Sequence, residues 1–163
     1  MIQRLSKSEV GFVSALAGEI WREHYTPIIG IEQVEYMLEK FQSSEQIYED
    51  ITQNNHIYFT FKDCSKNIVA YCAVFLQADH VFLSKLYIHS DFRNKGIARG
   101  FLNEAIRLGK SHGLDKICLT VNKDNGGAIS AYKKMGFKIV SSCKKDIGGG
   151  FFMDDYVMEL SKI

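Results

Sequence analysis

The chain has 163 residues, 46% of them hydrophobic and 24% charged, which is an ordinary composition for one soluble domain. Twenty basic and nineteen acidic side chains leave a formal charge of +1, which argues against a surface for nucleic acid or for an anionic membrane, since both need a basic excess. No apolar run approaches the ~20 residues of a membrane helix. The four cysteines are scattered and match no zinc spacing. We therefore expect a cytoplasmic protein with reduced cysteines and without a metal.

The N-terminal third of the chain predicts helices. Ser6 and Glu9 form a capping box, and the residues that follow carry an apolar stripe at helical spacing, made of Phe12, Val13, Leu16 and Ile20. Pro27 and Gly30 end this pattern. Two further helices are predicted over residues 31–42 and 44–53.

The composition changes after Asn55 to β-branched and aromatic residues, and it then alternates between strand and helix patterns. The pattern predicts three consecutive strands, a helix, a strand, a short helix and two final strands, over residues 56–61, 68–77, 81–89, 98–112, 116–121, 127–135, 137–145 and 151–160. We therefore predict a single α+β domain over residues 1–163. Helices come first, the sheet is mostly antiparallel, and a strand–helix–strand crossover makes one pair of strands parallel.

The segment DFRNKGIARG, residues 91–100, joins a predicted strand to a predicted helix and suits an anion. The free N–H groups and the dipole at a helix start attract negative charge. Gly96 and Ala98 are small enough to let a phosphate approach the backbone. Positive charge comes from Arg93, Lys95 and Arg99. A solvated basic turn that only caps the helix is the alternative.

Two common phosphate-binding motifs do not fit this loop. A nucleoside triphosphate loop needs a lysine and then a hydroxyl residue after its last glycine, but Phe101 and Leu102 follow Gly100. A dinucleotide loop reads G-x-G-x-x-G after the first strand of a βαβ unit, whereas this loop follows several strands and spaces its glycines as G-x-x-x-G.

The segment RNKGIA resembles the R/Q-x-x-G-x-G/A turn of the GNAT superfamily of N-acetyltransferases, which holds the pyrophosphate of acetyl-coenzyme A. The segment LTVNKDNGGAISAYKKMGFK is similar to the second signature of that family, N-x-x-N followed by A-x-x-x-Y-x-K-x-G-F. The similarity is close over residues 81–138, and Ala98 stands where the family often has glycine. The resemblance implies a GNAT-like fold in which the two parallel strands splay apart around acetyl-CoA, with no metal.

The resemblance also implies roles for single residues. The backbone of the strand before the loop would face the acetyl group, two asparagines would hydrogen-bond the pantetheine arm, and Tyr132 would donate a proton to the leaving thiolate. A tyrosine that only packs on the sheet is the alternative for Tyr132. The implied contacts to acetyl-CoA are Leu86, Tyr87, Ile88, Arg93, Asn94, Lys95, Gly96, Ile97, Ala98, Arg99, Asn122, Asn125, Ala128, Tyr132 and Lys134.

The sequence does not identify the general base or the residues of the acceptor site. Some relatives carry a glutamate on the strand where this chain has Lys85. The remaining candidates for the base or for acceptor contacts are Glu23, His24, His89, Asp154 and Asp155. The last two point to opposite faces of a strand, so at most one of them faces a given cleft. An acid there would favour a cationic amine, and solvated strand residues are the alternative.

The segments WREHYTPIIG and DIGGGFFMDDYVME look like a subgroup similar to spermidine/spermine acetyltransferases. The sequence therefore predicts an acetyl-CoA-dependent N-acetyltransferase for a small primary amine, with a polyamine as one candidate. Acetylation of a protein N-terminus or lysine, and a CoA-binding regulatory module without turnover, are the alternatives. Many relatives pair through their C-terminal strands, so the resemblance implies a homodimer as one assembly.

Overall fold

The computed structural model describes all 163 residues of the chain. The α-helices are α1 Val10–His24, α2 Thr26–Ile29, α3 Ile31–Gln42, α4 Ser44–Thr52, α5 Ile97–Ser111 and α6 Gly126–Lys134. The strands are β1 Ile2–Arg4, β2 Ile57–Lys62, β3 Ile68–Leu76, β4 Val81–Ile88, β5 Lys116–Asn122, β6 Lys138–Gly148 and β7 Phe151–Ser161. None of the helices is both long and apolar enough to span a bilayer.

The seven strands form one sheet in the order β1-β2-β3-β4-β5-β7-β6. Strands β4 and β5 are parallel, and they pair only at Val81–Ile117 and Phe82–Cys118. The pairs β1–β2, β2–β3, β5–β7 and β6–β7 are antiparallel. The predicted α+β class, with one parallel pair that separates after two residues, is therefore confirmed.

The chain forms two compact units. The N-terminal unit contains residues 1–75 and 85–102, and the C-terminal unit contains residues 76–84 and 103–163. Strand β4 and helix α5 contribute residues to both units. The single domain expected from the sequence stays a prediction.

In the N-terminal unit, helix α1 begins where the sequence predicts. The backbone N–H of Ser6 donates to Glu9 Oε2 at 3.3 Å, which is one half of the predicted capping box. Val13, Leu16 and Ile20 of the predicted apolar stripe are buried, but Phe12 is 67% exposed and does not belong to the buried face. Strand β1 was not predicted, because three residues are too few to show an alternating pattern.

In the C-terminal unit, helix α6 ends in a Schellman motif. The N–H of Gly136 donates to the oxygen of Lys133 and that of Phe137 to the oxygen of Tyr132, both at 3.0 Å. Gly136 has a φ of +104°, which a side chain would strain. The motif fixes Tyr132 in the last turn of the helix.

Strand β6 lies at the edge of the sheet, and all of its residues except Ile147 are exposed. The apolar side chains of Ile139 and Val140 are among them. Three glycines at positions 148–150, all with positive φ, join β6 to β7. A β-bulge precedes this hairpin tip, with the register shift between Asp146 and Gly148.

Candidate functional site

The loop after β4 presents backbone N–H groups at the start of α5. The first helical hydrogen bond runs from Gly100 N–H to the oxygen of Gly96 at 3.0 Å, so the N–H groups of Ile97, Ala98 and Arg99 have no partner within the helix. Gly96 has a φ of +79°, and apart from its chain neighbours no heavy atom lies within 4 Å of the place where its Cβ would stand. This turn therefore leaves an open cradle of donors for an anion.

Cationic side chains lie beside these donors. Arg93 Nε donates to the oxygen of Ile88, the last residue of β4, at 3.1 Å. Lys95 Nζ lies 4.9 Å from the centre of the Phe92 ring, and Arg99 is exposed on the first turn of α5. Asn94 has a φ of +60°, a conformation that asparagine tolerates better than most residues. Three cationic side chains therefore belong to the same short segment as the N–H groups at the start of α5.

An aromatic cluster holds the strand that leads into the loop. The Tyr87 ring lies 5.5 Å from Trp21, 6.3 Å from Tyr25 and 5.4 Å from Tyr71, measured between ring centres. Because neighbouring side chains on a strand point to opposite faces, those of Leu86 and Ile88 point away from this cluster. His24 contacts Tyr25 edge-on at 4.9 Å. Glu23 is exposed on the same helix.

His89 is a poor candidate for the general base. Its Nδ1 accepts the backbone N–H of Asp91 at 3.2 Å, so the side chain caps the short 3-10 turn that follows. Its Nε2 lies 2.9 Å from Glu19 Oε1, which places the proton of a neutral ring on Nε2. Neither nitrogen retains a lone pair for a substrate proton.

Lys85 lies in a polar network that the sequence did not predict. Its side chain is 10% exposed, and Nζ donates to the backbone oxygen of Phe41 at 2.6 Å and to the Tyr58 hydroxyl at 2.7 Å. Asp50 Oδ2 is 3.5 Å from the same nitrogen. Burial lowers the pKa of Lys85 to about 8. Lys85 thus fastens β4 to the corner between α3 and α4.

The Asp50 carboxylate is the anion of this network. It accepts the Tyr58 hydroxyl at 2.8 Å and Gln46 Nε2 at 2.9 Å, while His56 Nδ1 is farther away, at 3.5 Å. Burial alone would raise the pKa of Asp50, but these hydrogen bonds and the ammonium of Lys85 hold it well below its usual range.

This network makes stability depend on pH. Because the pKa of Asp50 is lower in the folded protein than in the unfolded chain, its contribution is fully present above about pH 4 and is lost as the pH falls further. We therefore expect the free energy of unfolding to fall less between pH 6 and pH 3 in Asp50→Asn than in the wild-type protein. Urea unfolding at both pH values measures this difference. Equal losses in the two proteins would contradict this assignment.

In the C-terminal unit, the two predicted asparagines shape the turn between β5 and α6. Asn122 Oδ1 accepts the N–H of Asp124 at 2.9 Å. Asn125 is buried, and its Oδ1 caps α6 by accepting the N–H of Ala128 at 3.4 Å. These bonds hold the start of α6 in place. At the other end of this helix, Lys134 is exposed.

Tyr132 lies on α6 with its ring half-buried against Phe137. The ring centres are 5.6 Å apart and the planes meet at 64°. The packing expected for a helix aromatic is therefore present, and it is compatible with a hydroxyl that serves chemistry. Whether the hydroxyl acts at a thioester stays a prediction.

Asp154 and Asp155 have different surroundings, as expected for neighbours on a strand. The Asp154 side chain is 49% exposed and pairs with Lys123 Nζ at 2.9 Å. Asp155 is 6% exposed, lies opposite Asn122 in the pairing of β5 with β7, and makes no hydrogen bond or ion pair. Burial and the charge of Asp154 raise the pKa of Asp155 to about 6. No group of three or more His, Cys, Asp or Glu side chains is arranged to hold a metal.

Comparisons with known proteins agree with this geometry. The model of the acetyltransferase (GNAT) family matches residues 18–137. A spermidine N(1)-acetyltransferase of Thermoplasma acidophilum is 26% identical over 161 residues, covering 97% of this chain and 94% of the relative. The L-amino acid N-acetyltransferase AaaT of Escherichia coli is 36% identical over 81 residues, 48% of this chain and 50% of its own.

Solved structures share the fold as well. The crystal structure of paia N-acetyltransferase from Thermoplasma acidophilum, in complex with coenzyme A, superposes with a TM-score of 0.83 at 23% identity. The superposition covers 99% of this chain and 98% of that one. The fold that the loop motifs implied is therefore confirmed over the whole chain.

Proposed function

We propose, since the chain belongs to the acetyltransferase (GNAT) family, that it transfers the acetyl group of acetyl-CoA to the primary amine of a small cationic molecule such as a polyamine. The observation that carries this proposal is the cradle at Gly96. It joins free N–H groups, a left-handed glycine and three nearby cations in one loop.

The cradle fits the diphosphate of coenzyme A. The N–H groups of Ile97, Ala98 and Arg99 supply donors, and the dipole of the 15-residue helix α5 adds positive potential. Arg93 and Lys95 add charge that diphosphate needs in the absence of a metal ligand. The fold shared with a protein that holds coenzyme A supports this reading.

The chemistry needs a free amine and an acid for the leaving sulfur. The thioester supplies an activated acetyl carbonyl. Tyr132 is suited to protonate the sulfur, because a phenol with a pKa near ~10 stays protonated at neutral pH and can donate to a thiolate whose conjugate acid is near ~8.5. The expected pantetheine contacts of Asn122 and Asn125 lie in the same unit as Tyr132.

The acceptor is proposed from charge and from the relatives. Asp155 and the exposed Glu23 provide negative charge that would attract an ammonium group. The name of the Thermoplasma relative supports a polyamine, and that of AaaT supports an amino acid. A homodimer through the exposed edge of β6 is part of the proposal.

Ligand-dependent unfolding tests the loop first. Acetyl-CoA at 100 times its Kd should add about 2.7 kcal/mol to the unfolding free energy and raise the Tm accordingly, while ATP and NAD should have no effect. The measurement is a thermal-shift titration with each nucleotide. Stabilisation by ATP or NAD without stabilisation by acetyl-CoA would refute the proposed cradle.

An acceptor panel then tests turnover. Release of free thiol is followed with spermidine, amino acids, aminoglycosides and lysine peptides. The proposal expects the highest kcat/KM for a polyamine. A preference for the peptides would instead favour a protein acceptor, and stabilisation by acetyl-CoA with no thiol release from any amine would favour a regulatory module.

Gly96→Ala should weaken the cradle. Alanine at a φ of +79° costs about 1–2 kcal/mol, and its methyl group would occupy the place where a phosphate approaches. We expect at least a tenfold rise in the Kd for acetyl-CoA, about 1.4 kcal/mol, measured by titration calorimetry. The matched control is Gly11→Ala on the exposed side of α1, which should leave the Kd unchanged. An unchanged Kd in Gly96→Ala would contradict the role of this turn.

A further inference from the structure

Asp155 is a buried carboxyl group whose side chain has no direct partner, and the charge of Lys123 offsets its burial only in part. The residue is 6% exposed, and its side chain makes no hydrogen bond or ion pair. A charge removed from water without a partner is costly, so proteins pair such groups, neutralise them or use them in chemistry. The pKa of Asp155 is raised to about 6 by this burial, so at neutral pH the group is mainly ionised but close to its titration point.

The two faces of strand β5 show where Asp155 lies. Ile117, Leu119 and Val121 are buried on one face. Asn122 and Thr120 lie on the other, and Thr120 is exposed. Asp155 shares this second face, because residues directly opposite in an antiparallel pair point to the same side. It therefore lies beside Asn122, near the point where β5 leads into the turn before α6.

The charge of Lys123 favours ionisation of Asp155, but no cation forms an ion pair with this carboxylate. Lys123 is engaged by Asp154, and the charge of Asp154 opposes ionisation of its neighbour. Cys143 is the residue opposite on β6, and Lys145 follows two positions along the same strand and is exposed. Glu159 lies four residues after Asp155 on β7, and its Oε2 is 3.9 Å from Lys116 Nζ. The carboxylate of Asp155 therefore has no fixed partner within the protein.

We propose that Asp155 is the general base of the transfer, receiving the proton that the acceptor nitrogen loses as it attacks the acetyl group. The proposal rests on the proposed function and adds to it the group that the sequence left open. Asp154, paired and half-exposed on the opposite face, has no such role.

The proton and the bonds balance in this step. The neutral amine nitrogen forms a bond to the acetyl carbon, and the bond from that carbon to sulfur breaks. The proton leaving nitrogen goes to the Asp155 carboxylate, and the sulfur takes the proton of the Tyr132 hydroxyl. Asp155 then releases a proton to water and Tyr132 regains one, so the products are an amide and a free thiol. A base with a pKa near the working pH is well suited to this task.

The test is Asp155→Asn, which keeps the shape and removes the base. We expect kcat/KM for the best amine of the panel to fall by about 10²–10⁴-fold, as for loss of a general base. The rise of kcat/KM with pH near pH 6 should disappear in the variant. The Kd for acetyl-CoA should not change, and the Tm at pH 7 should stay equal or rise, because an uncompensated buried charge is removed. Glu159→Gln, on the same face of the same strand, is the matched control and should keep the wild-type pH profile.

The outcomes separate this inference from the proposed function. If the unchanged protein neither binds acetyl-CoA nor releases thiol with any amine, the proposed function fails first. If the unchanged protein is active and Asp155→Asn retains its rate and its pH profile, Asp155 is not the base. A fall of the Tm together with the rate would assign Asp155 a structural role. If the rise of kcat/KM near pH 6 is lost in Asp154→Asn and not in Asp155→Asn, Asp154 is the general base.

Discussion

Tyr132→Phe is expected to lower kcat by about 10²–10⁴-fold while acetyl-CoA binding stays nearly unchanged, because only the proton donor for the leaving thiolate is removed. The Tyr132 ring packs against Phe137 at 5.6 Å, and phenylalanine preserves that contact, so the Tm should not change. Steady-state kinetics with acetyl-CoA and the best amine of the panel measure the effect.

Tyr36→Phe serves as the matched control. Tyr36 lies on α3, outside the residues proposed to contact acetyl-CoA, and its ring centre is 5.6 Å from Lys40 Nζ. Its kcat should equal that of the unchanged protein. If kcat were equally unchanged in Tyr132→Phe, Tyr132 would have only the packing role that its contact with Phe137 already gives it.

Lys85→Met is expected to destabilise the protein by about 3–5 kcal/mol, which is the effect of leaving one buried charge of a pair without its partner. Methionine fills the space of the lysine stem but leaves Asp50 ionised and buried. Urea unfolding at pH 7, analysed with a common m-value, measures the difference in unfolding free energy.

A double variant tests whether the buried charge of Asp50 causes the loss of stability in Lys85→Met. In Lys85→Met with Asp50→Asn, both charges are absent, so we expect part of the lost stability to return. Arg22→Met is the control for an exposed ion pair. Arg22 Nε is only 2.6 Å from Glu35 Oε1, yet both side chains are half-exposed, so the expected cost is about 0–1 kcal/mol. Equal costs for Arg22→Met and Lys85→Met would show that burial of the Lys85 pair contributes little.

Much of the fold could be predicted because local pattern and tertiary structure agree. Helix α3 begins and ends at the predicted residues, and the bounds of β3 and β5 differ from prediction by one residue. Gly113 and Gly136 have the positive φ that their positions after helices require. In each case short-range chemistry, such as a cap or an alternating strand, determines the element.

The remainder depends on contacts that are distant in sequence. A lysine at position 85, in the middle of an apolar strand, indicates a buried polar network. Its partner Asp50 lies 35 positions earlier, and its sequence context is that of an ordinary polar residue of an amphipathic helix. The same is true of Asp155, since the pattern showed two neighbouring acids on opposite faces without showing which face is covered. The role of His89 as a cap also depended on a backbone conformation that no spacing reveals.

The exposed edge at β6 has a consequence for the behaviour of the protein in concentrated solution. An edge strand of 11 residues, unpaired on its outer side, is a template for further strands, and proteins commonly protect such edges with lysine. Lys138, Lys144 and Lys145 lie along it, and Lys144 Nζ covers the exposed Phe152 ring at 5.2 Å from its centre. Since salt screens the repulsion between these lysines, high ionic strength should promote pairing of two copies through this strand, and dilute buffer should suppress it.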